Sequence, residues 1–110
     1  MASEKQQNLY KVIIDSRAEE DMYEIFDYIF DVLKSPIAAK NLFTEMKDQM
    51  SSLSIQPERC TFVSDAQFRY RGIHKLFVKN YIIFFVIDYD KDEVHVIRIL
   101  YNRRNWGKIL

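Results

Sequence analysis

The spacing of apolar residues changes along the chain and predicts a strand, two helices and three further strands. Residues 9–15 form a short run rich in β-branched and aromatic residues, which predicts a first strand. From residue 16 the apolar positions recur at intervals of three and four, which is typical of a helix with one buried stripe. The stripe consists of Ala18, Met22, Ile25, Phe26, Ile29, Val32 and Leu33.

Capping signals set the predicted bounds of two helices. Ser16 followed three residues later by Glu19 matches a capping box, so we expect the first helix to begin at Ser16 and to end at Lys34. Ser35 and Pro36 then supply an N-cap residue and a proline suited to the first helical position. Because the link is so short, the two helices should form an antiparallel hairpin. The apolar face of the second helix is Ala39, Leu42, Phe43, Met46, Met50 and Leu53.

The second half of the chain predicts three antiparallel strands in succession. Residues 58–68 show no clear period and are expected to form a connection of undefined shape. Strands are then expected at 76–78, 81–87 and 94–101, joined at Lys79-Asn80 and by a polar turn at 88–93. The middle strand is apolar on both sides, as in a strand that is covered on both faces.

Alternation assigns the side chains of these strands to two faces. Ile83, Phe85 and Ile87 are expected to face the helices, and Ile82, Phe84 and Val86 the other side. In the last strand the same rule groups Ile97 with Ile99, and Val96 with Arg98 and Leu100. A charged side chain on an apolar strand face is costly unless it is paired, so Arg98 requires a carboxylate or a phosphate.

These elements predict an α+β fold: an N-terminal strand, an antiparallel helical hairpin and a three-stranded antiparallel meander, with both helices on one face of the sheet. A chain of 110 residues fits one domain, which we place at residues 9–110 after a disordered N-terminus at 1–8. The sequence has no apolar run long enough for a membrane span and no apolar leader. We therefore expect a cytoplasmic protein.

Charge is distributed unevenly although the total is zero. Residues 1–57 carry six Lys or Arg against ten carboxylates, a net charge of −4, and residues 58–110 carry ten against six, a net charge of +4. The asymmetry suggests a basic functional face on the sheet and an acidic helical back. Ordinary solvated surfaces are the alternative.

Most sites for metals or cofactors find no support in the sequence. His74 and His95 are the only histidines and lack ligand spacing, so we predict no metal and no cofactor. His74 is expected at the surface rather than as a base. Gly72 and Gly107 cannot form a phosphate-cradling loop. Cys60 is alone, and an inert thiol is the expected state.

Basic residues interleaved with aromatic ones remain as candidate chemistry. Such a strip suits phosphate contacts and base stacking, although many protein-binding surfaces have the same composition. The strip comprises Arg69, Tyr70, Arg71, His74, Lys75, Lys79, Arg98, Tyr101, Arg103, Arg104, Trp106 and Lys108.

Two segments, LFVKNYIIFFVID and VHVIRILYNRRNW, resemble the third and fourth strands of RelE/ParE-type toxins of bacterial type II toxin–antitoxin modules. The resemblance covers roughly residues 9–107. It implies a growth-arresting toxin that a cognate antitoxin neutralises, in an assembly of the two proteins. One branch of the family cleaves mRNA on the ribosome without a metal, and the ParE-like branch poisons DNA gyrase.

The resemblance and the basic strip together suggest site residues. If the chain cleaves RNA, Arg71, Arg98 and Arg104 are the candidates for holding phosphate and Tyr101 is the candidate for proton transfer. Further target contacts are expected at Lys75, Lys79, Arg103 and Trp106. Exposed apolar side chains at Tyr23, Tyr28, Phe84 and Val86 are the expected antitoxin contacts.

Three departures weaken the resemblance to the RNase branch, and Ile82 together with the zero net charge gives a slight preference for action on gyrase. Tyr81 is followed by Ile82, where that branch often has arginine, and Val86 stands where a basic residue is common. Tyr101 replaces the usual histidine and would need neighbouring cations such as Arg98 and Arg103 to lower its pKa. Ribosome-dependent mRNA cleavage is the alternative mechanism, and a non-toxic protein-binding member of the family is a further alternative.

Overall fold

A computed structural model describes residues 9–102 and 109–110 and confirms the predicted α+β fold. The predicted disorder of residues 1–8 therefore lies outside the described residues. The elements are β1 (Lys11–Ile14), α1 (Ser16–Asp27), α2 (Pro36–Ser51), α3 (Ala66–Tyr70), β2 (His74–Val78), β3 (Tyr81–Asp88) and β4 (Glu93–Tyr101). Helix α1 continues into a π-helical turn at Tyr28–Val32, and short 3-10 turns at Ser52–Ser54 and Pro57–Arg59 follow α2.

The four strands form one sheet in the order β1-β4-β3-β2. β2, β3 and β4 make the predicted antiparallel meander, whereas β1 pairs in parallel with β4. The helical hairpin carries the chain over one face of the sheet, from β1 at one edge toward β2 at the other. These two strands run in the same direction, which requires a long connection. No helix among the described residues is both long and apolar enough to traverse a lipid bilayer.

The helical hairpin buries one face of the sheet in what we call the main core. Ala18, Met22 and Ile29 of the predicted stripe are buried, as is most of the predicted face of α2. Val32 and Leu33, however, are 62% and 55% exposed, so the prediction that they are buried was wrong. The π-helical turn explains the error, because its wider bonding, with Leu33 N–H donating to the carbonyl of Tyr28, interrupts the 3.6-residue period.

The start of α1 also differs from the prediction. Asp15 is the N-cap residue and Ser16 already belongs to the helix, with no side-chain hydrogen bond from the cap. The expected capping box between Ser16 and Glu19 is therefore not formed. The second helix begins as predicted, with Ser35 as the N-cap and Pro36 at its first position.

A second, smaller core covers the other face of the sheet. The segment expected to lack a defined shape contains α3, whose N-cap Asp65 accepts the Gln67 N–H at 2.9 Å. Phe68 of α3 is buried there, so the helices of the hairpin are not the sheet's only cover. The second core consists of Val63, Phe68, Ile73, Ile82, Phe84 and Leu100, with Val86, Ile97, Ile109 and Leu110 packed against it.

A β-bulge changes which face the side chains of β4 occupy. Phe84 is paired with Arg98 and Phe85 with Val96, so Ile97 is an extra residue without a partner in the ladder. An extra residue reverses the alternation beyond it. The predicted grouping in β4 was therefore wrong: Val96 and Ile99 lie in the main core, and Ile97 and Leu100 contact the second core.

Candidate functional site

A groove of about 750 Å³ lies between the helical hairpin and the ends of β3 and β4. Its helical wall is mainly apolar and includes Ile25 and Ile29, which belong to the side of α1 and its π-helical turn that faces the sheet. Lys79 at the β2–β3 turn lies at its rim, where its Nζ is 3.2 Å from Glu45 Oε1. Such a groove, apolar with a few polar groups, fits a binding site.

Three tyrosines line the groove, in addition to its charged and amide side chains. Tyr81 and Tyr101 are partners across β3 and β4, and their rings meet edge to face with centroids 5.6 Å apart. Tyr28 lines the helical side. Burial raises the pKa of the Tyr81 hydroxyl, and the nearby Tyr101 and Tyr28 raise it further. The Tyr81 hydroxyl is therefore neutral at physiological pH and able to donate a hydrogen bond to an occupant of the groove.

Beside the groove, Asp21 of α1 binds Arg98 of β4. Arg98 Nε and Nη2 donate to the two carboxylate oxygens of Asp21 at 2.8 and 3.0 Å, and the Ile99 N–H donates at 2.9 Å. The Asp21 side chain is 3% exposed and that of Arg98 is 12% exposed. The hydrogen bond to Asp21 raises the pKa of Arg98, against the opposing effect of burial.

This pair answers the sequence prediction that Arg98 needs an anion. Its partner is a carboxylate of the same chain, and the bidentate geometry is the strong form of such a contact. β1 ends at Ile14, opposite Val96 of β4. Beyond this point the carboxylate of Asp21, instead of a neighbouring strand, accepts the backbone N–H of Ile99. A phosphate-holding role for Arg98 would require this buried ion pair to break.

The other predicted phosphate contacts lie elsewhere. Arg71 Nη1 donates to the Leu110 carbonyl at 3.2 Å, and its guanidinium lies 5.9 Å from the centroid of the Phe68 ring, at the second core. Lys75 lies over the ring of Phe77 at 5.7 Å. Arg71 therefore contacts the second core, whereas Arg98 contacts Asp21 of α1. Arg103, Arg104 and Trp106 lie outside the described residues.

The predicted antitoxin contacts are also in two different places: two are exposed on the helical hairpin and two belong to or contact the second core. Tyr23 and Tyr28 are exposed on α1 and its π-helical turn, by 62% and 52%. Phe84 is completely buried, so the prediction that it belongs to an exposed apolar surface was wrong. Val86 is half-buried against the second core. Of these four residues, the exposed aromatic ones are thus on α1 and its π-helical turn.

Sequence reasoning missed two features near these strands. Asp21 is adjacent to Met22 and three residues after Ala18, so its place on the buried stripe was a signal that it pairs with a buried cation. His74 was expected at the surface but is 5% exposed, stacked between Phe62 and Phe85. Its Nδ1 is 2.8 Å from the carbonyl oxygen of Cys60.

Two further observations concern the candidate thiol and metal chemistry. Burial raises the pKa of the Cys60 thiol, which favours the inert, protonated state. The turn between β3 and β4 brings ligand atoms of Asp88, Glu93 and His95 within 4.8 Å of one another. Sequence spacing did not reveal this cluster, because Asp88 and Glu93 meet only through strand pairing.

The sequence and the fold both resemble known toxins. Residues 12–106 match the family model described as ParE toxin of type II toxin-antitoxin system, parDE. No curated protein matches the sequence. Among solved structures, the chromosomal ParDE toxin–antitoxin system of P. aeruginosa is similar with 17% identity and a TM-score of 0.69, covering 86% of this chain and 97% of that one.

Two RelE-type assemblies share the fold at lower similarity. The toxin–antitoxin complex RelBE2 of Mycobacterium tuberculosis has 15% identity and a TM-score of 0.59, over 87% of this chain and 94% of that one. The archaeal RelE–RelB complex of Pyrococcus horikoshii OT3 has 12% identity and a TM-score of 0.53, over 87% and 98%. At these identities the likeness concerns the fold alone.

Proposed function

Because the chain belongs to the ParE toxin family of type II toxin–antitoxin systems, we propose that it arrests bacterial growth by poisoning DNA gyrase and does not cleave RNA. The observation that carries the choice of mechanism is the ion pair between Arg98 and Asp21. Both side chains are largely buried and the contact is bidentate, so Arg98 serves packing rather than phosphate binding.

The separation of the predicted catalytic residues supports the same choice. RNA cleavage without a metal requires phosphate-holding cations and a proton-transfer group around one phosphate. Tyr101 lines the groove, whereas Arg71 contacts Phe68 and Leu110 at the second core. These two side chains therefore have different surroundings in the fold, which counts against joint action on one phosphate.

Ribosome-dependent mRNA cleavage is the second candidate, and one observation favours it. Tyr101 is 39% exposed and lines a groove that also contains Lys79, so a hydroxyl and a cation are present in the same concave surface. Tyr101 would be the proton-transfer group in that mechanism, and its removal would abolish cleavage.

Two assays on the purified protein separate the mechanisms. Gyrase, plasmid DNA and ATP are incubated with the toxin, and cleaved DNA is trapped with detergent. In parallel, translating ribosomes are incubated with the toxin and the message is examined for cuts by primer extension. We expect trapped gyrase–DNA breaks and an intact message.

The Tyr101→Phe variant sharpens this test, because it keeps the ring that packs on Tyr81 and removes only the hydroxyl. We expect Tyr101→Phe to arrest growth as the unaltered chain does. Cuts in ribosome-bound mRNA that disappear in Tyr101→Phe would reject the gyrase proposal in favour of RNA cleavage. No growth effect and no activity in either assay would identify a non-toxic binding member of the family.

We further propose that the antitoxin binds in the groove and on the exposed tyrosines of α1 and its π-helical turn, Tyr23 and Tyr28. The groove combines an apolar floor with tyrosine side chains, the residue type that often dominates binding energy at interfaces. The acidic surface of α1 suits basic side chains in the bound segment: Glu19, Glu20, Glu24 and Asp27 are all exposed.

Alanine variants test this seat with the cognate antitoxin by calorimetry. We expect Tyr28→Ala to weaken binding by about tenfold or more, since an interface tyrosine of this kind contributes on the order of 2 kcal/mol. Tyr70→Ala is the matched control, because Tyr70 is 93% exposed but belongs to α3. Equal loss of affinity in both variants would contradict the assignment of the groove.

A further inference from the structure

His95 of β4 joins two carboxylates that come from different elements. Its Nδ1 lies 3.2 Å from Asp15 Oδ1, and its Nε2 lies 2.9 Å from Glu93 Oε1. Asp15 directly follows β1 and is the N-cap residue of α1. The imidazole therefore connects the junction between β1 and α1 with the strand on which β1 is docked.

The hydrogen-bond geometry favours the charged form of this imidazole. A carboxylate only accepts hydrogen bonds, whereas a neutral imidazole has one donor nitrogen and one acceptor nitrogen. With a carboxylate oxygen near each nitrogen, only the imidazolium can donate to both. The hydrogen bonds to Glu93 and then to Asp15 raise the pKa of His95, and partial burial opposes them.

The other charged groups around the ring come from three strands. Glu93 is on β4 itself, and Asp88 of β3 is its partner across the hairpin. From the N-terminal side come Asp15 and Lys11, the latter opposite Glu93 in the parallel pair. Three carboxylates therefore lie close to the imidazole.

We propose that His95 is a proton-dependent clamp that holds the β1–α1 junction against β4 and makes the docking of this junction depend on pH. The junction is also attached to β4 by the four residue pairs of β1 and by the hydrogen bond from Asp15 N–H to the Val96 carbonyl at 2.9 Å. Further along α1, Asp21 binds Arg98 and the Ile99 N–H. Loss of the proton leaves one carboxylate facing a lone pair instead of a donor. The contact between His95 and Asp15 then weakens at the N-terminus of α1, the helix that carries Asp21.

A bound cation is not needed to satisfy this cluster, although Asp88, Glu93 and His95 lie close enough to hold one. Both ring nitrogens already have partners. Asp88 Oδ1 accepts the N–H groups of Asp90 and Lys91 at 3.0 and 3.1 Å.

The direction of the pH dependence follows from the raised pKa. A group with a higher pKa in the folded than in the unfolded state adds stability that is complete below its unfolded value, about 6.5 for histidine. This contribution is lost as the pH rises through the folded value. The clamp is thus closed in mild acid and opens on the alkaline side of the ordinary histidine range.

Amide hydrogen exchange with a chelator present tests the clamp. The reporters are the N–H groups of Lys11 and Asp15, which donate to the carbonyls of Asp92 and Val96. After correction for intrinsic exchange, we expect their protection to fall several-fold between pH 5.5 and 8.5 in the unaltered chain. In His95→Gln the protection should be low and independent of pH.

Asp15→Asn provides a second variant, because asparagine caps a helix as well as aspartate and so removes only the charge. We expect it to abolish most of the pH dependence, whereas Asp48→Asn, the same change at an exposed site in α2, should leave it intact. An NMR titration should place the pKa of His95 above the ordinary histidine value. An unshifted titration, or unchanged pH dependence in His95→Gln, would overturn the proposal.

Addition of Zn²⁺ without the chelator separates the clamp from a metal site. The clamp predicts the same thermal midpoint with and without micromolar Zn²⁺. A rise in the midpoint of the unaltered chain that is absent in Glu93→Gln would make the cluster a metal site and would overturn the proposal.

Discussion

Both faces of the sheet are buried, but by different parts of the chain and with different results. The face under α1 and α2 carries the main core, and the hairpin leaves a groove beside Tyr81 and Tyr101. The other face is sealed by the short helix α3 and by residues 109–110. The face that sequence reasoning left open for a partner is thus filled by the chain itself, and the groove is on the helical side.

The structure separates the arginines that the sequence grouped together. Arg98 of β4 binds a carboxylate of α1, and Arg71 at the end of α3 binds the backbone carbonyl of Leu110. Each guanidinium joins two segments that are distant in sequence. Residues that form one basic strip in the sequence therefore stabilise two different contacts in the structure.

The largest expected effect is that of Phe84→Ala, which breaks the second core. Removing a fully buried phenylalanine side chain leaves a cavity and costs about 3–5 kcal/mol. Urea unfolding measures the loss. Phe77→Ala is the matched control on neighbouring β2, where the ring is 53% exposed and a loss below about 1 kcal/mol is expected. A small loss in Phe84→Ala would mean that this face is open after all.

Asp21→Asn tests the attachment of the other face. Asparagine keeps the size of the side chain but removes the charge that faces Arg98, so we expect a loss of about 2–3 kcal/mol. Glu20→Gln is the control, since its pair with Arg17 is exposed and contributes about 0–1 kcal/mol.

A double-mutant cycle with Arg98→Ala assigns the loss to the pair. Coupling between the two positions should be close to the loss in the single variant. If Arg98→Ala instead left stability unchanged while abolishing toxicity, Arg98 would bind the target and not α1.

The smallest effect is a gain in stability at the turn of the helical hairpin. Lys34 has a backbone φ of 53°, in the left-handed region that favours glycine. Lys34→Gly should therefore raise the free energy of unfolding by about 1 kcal/mol. Lys40→Gly in α2 should lower it by about the same amount, because glycine is unfavourable inside a helix. A loss in both variants would show that the Lys34 side chain is needed at the turn.

The sequence by itself determined the order of the elements and much of their orientation. The spacing of apolar residues identified both long helices, and Ser35 with Pro36 located the start of α2. Strict alternation assigned the faces of β3 correctly. The sequence motifs around Tyr81 and Arg98 indicated the family. These signals are local, because a residue's periodicity depends on neighbours two to four positions away.

Only the tertiary structure decided which distant residues meet. Asp21 and Arg98 are 77 positions apart, and Asp15 and His95 are 80 apart. Their contacts exist because β1 pairs in parallel with β4, a choice that no local period encodes. The bulge at Ile97 and the cover provided by α3 likewise follow from packing against remote elements. The candidate site was therefore less predictable than the fold. Local patterns identify its residues one at a time, but each residue's partner is far away in the sequence.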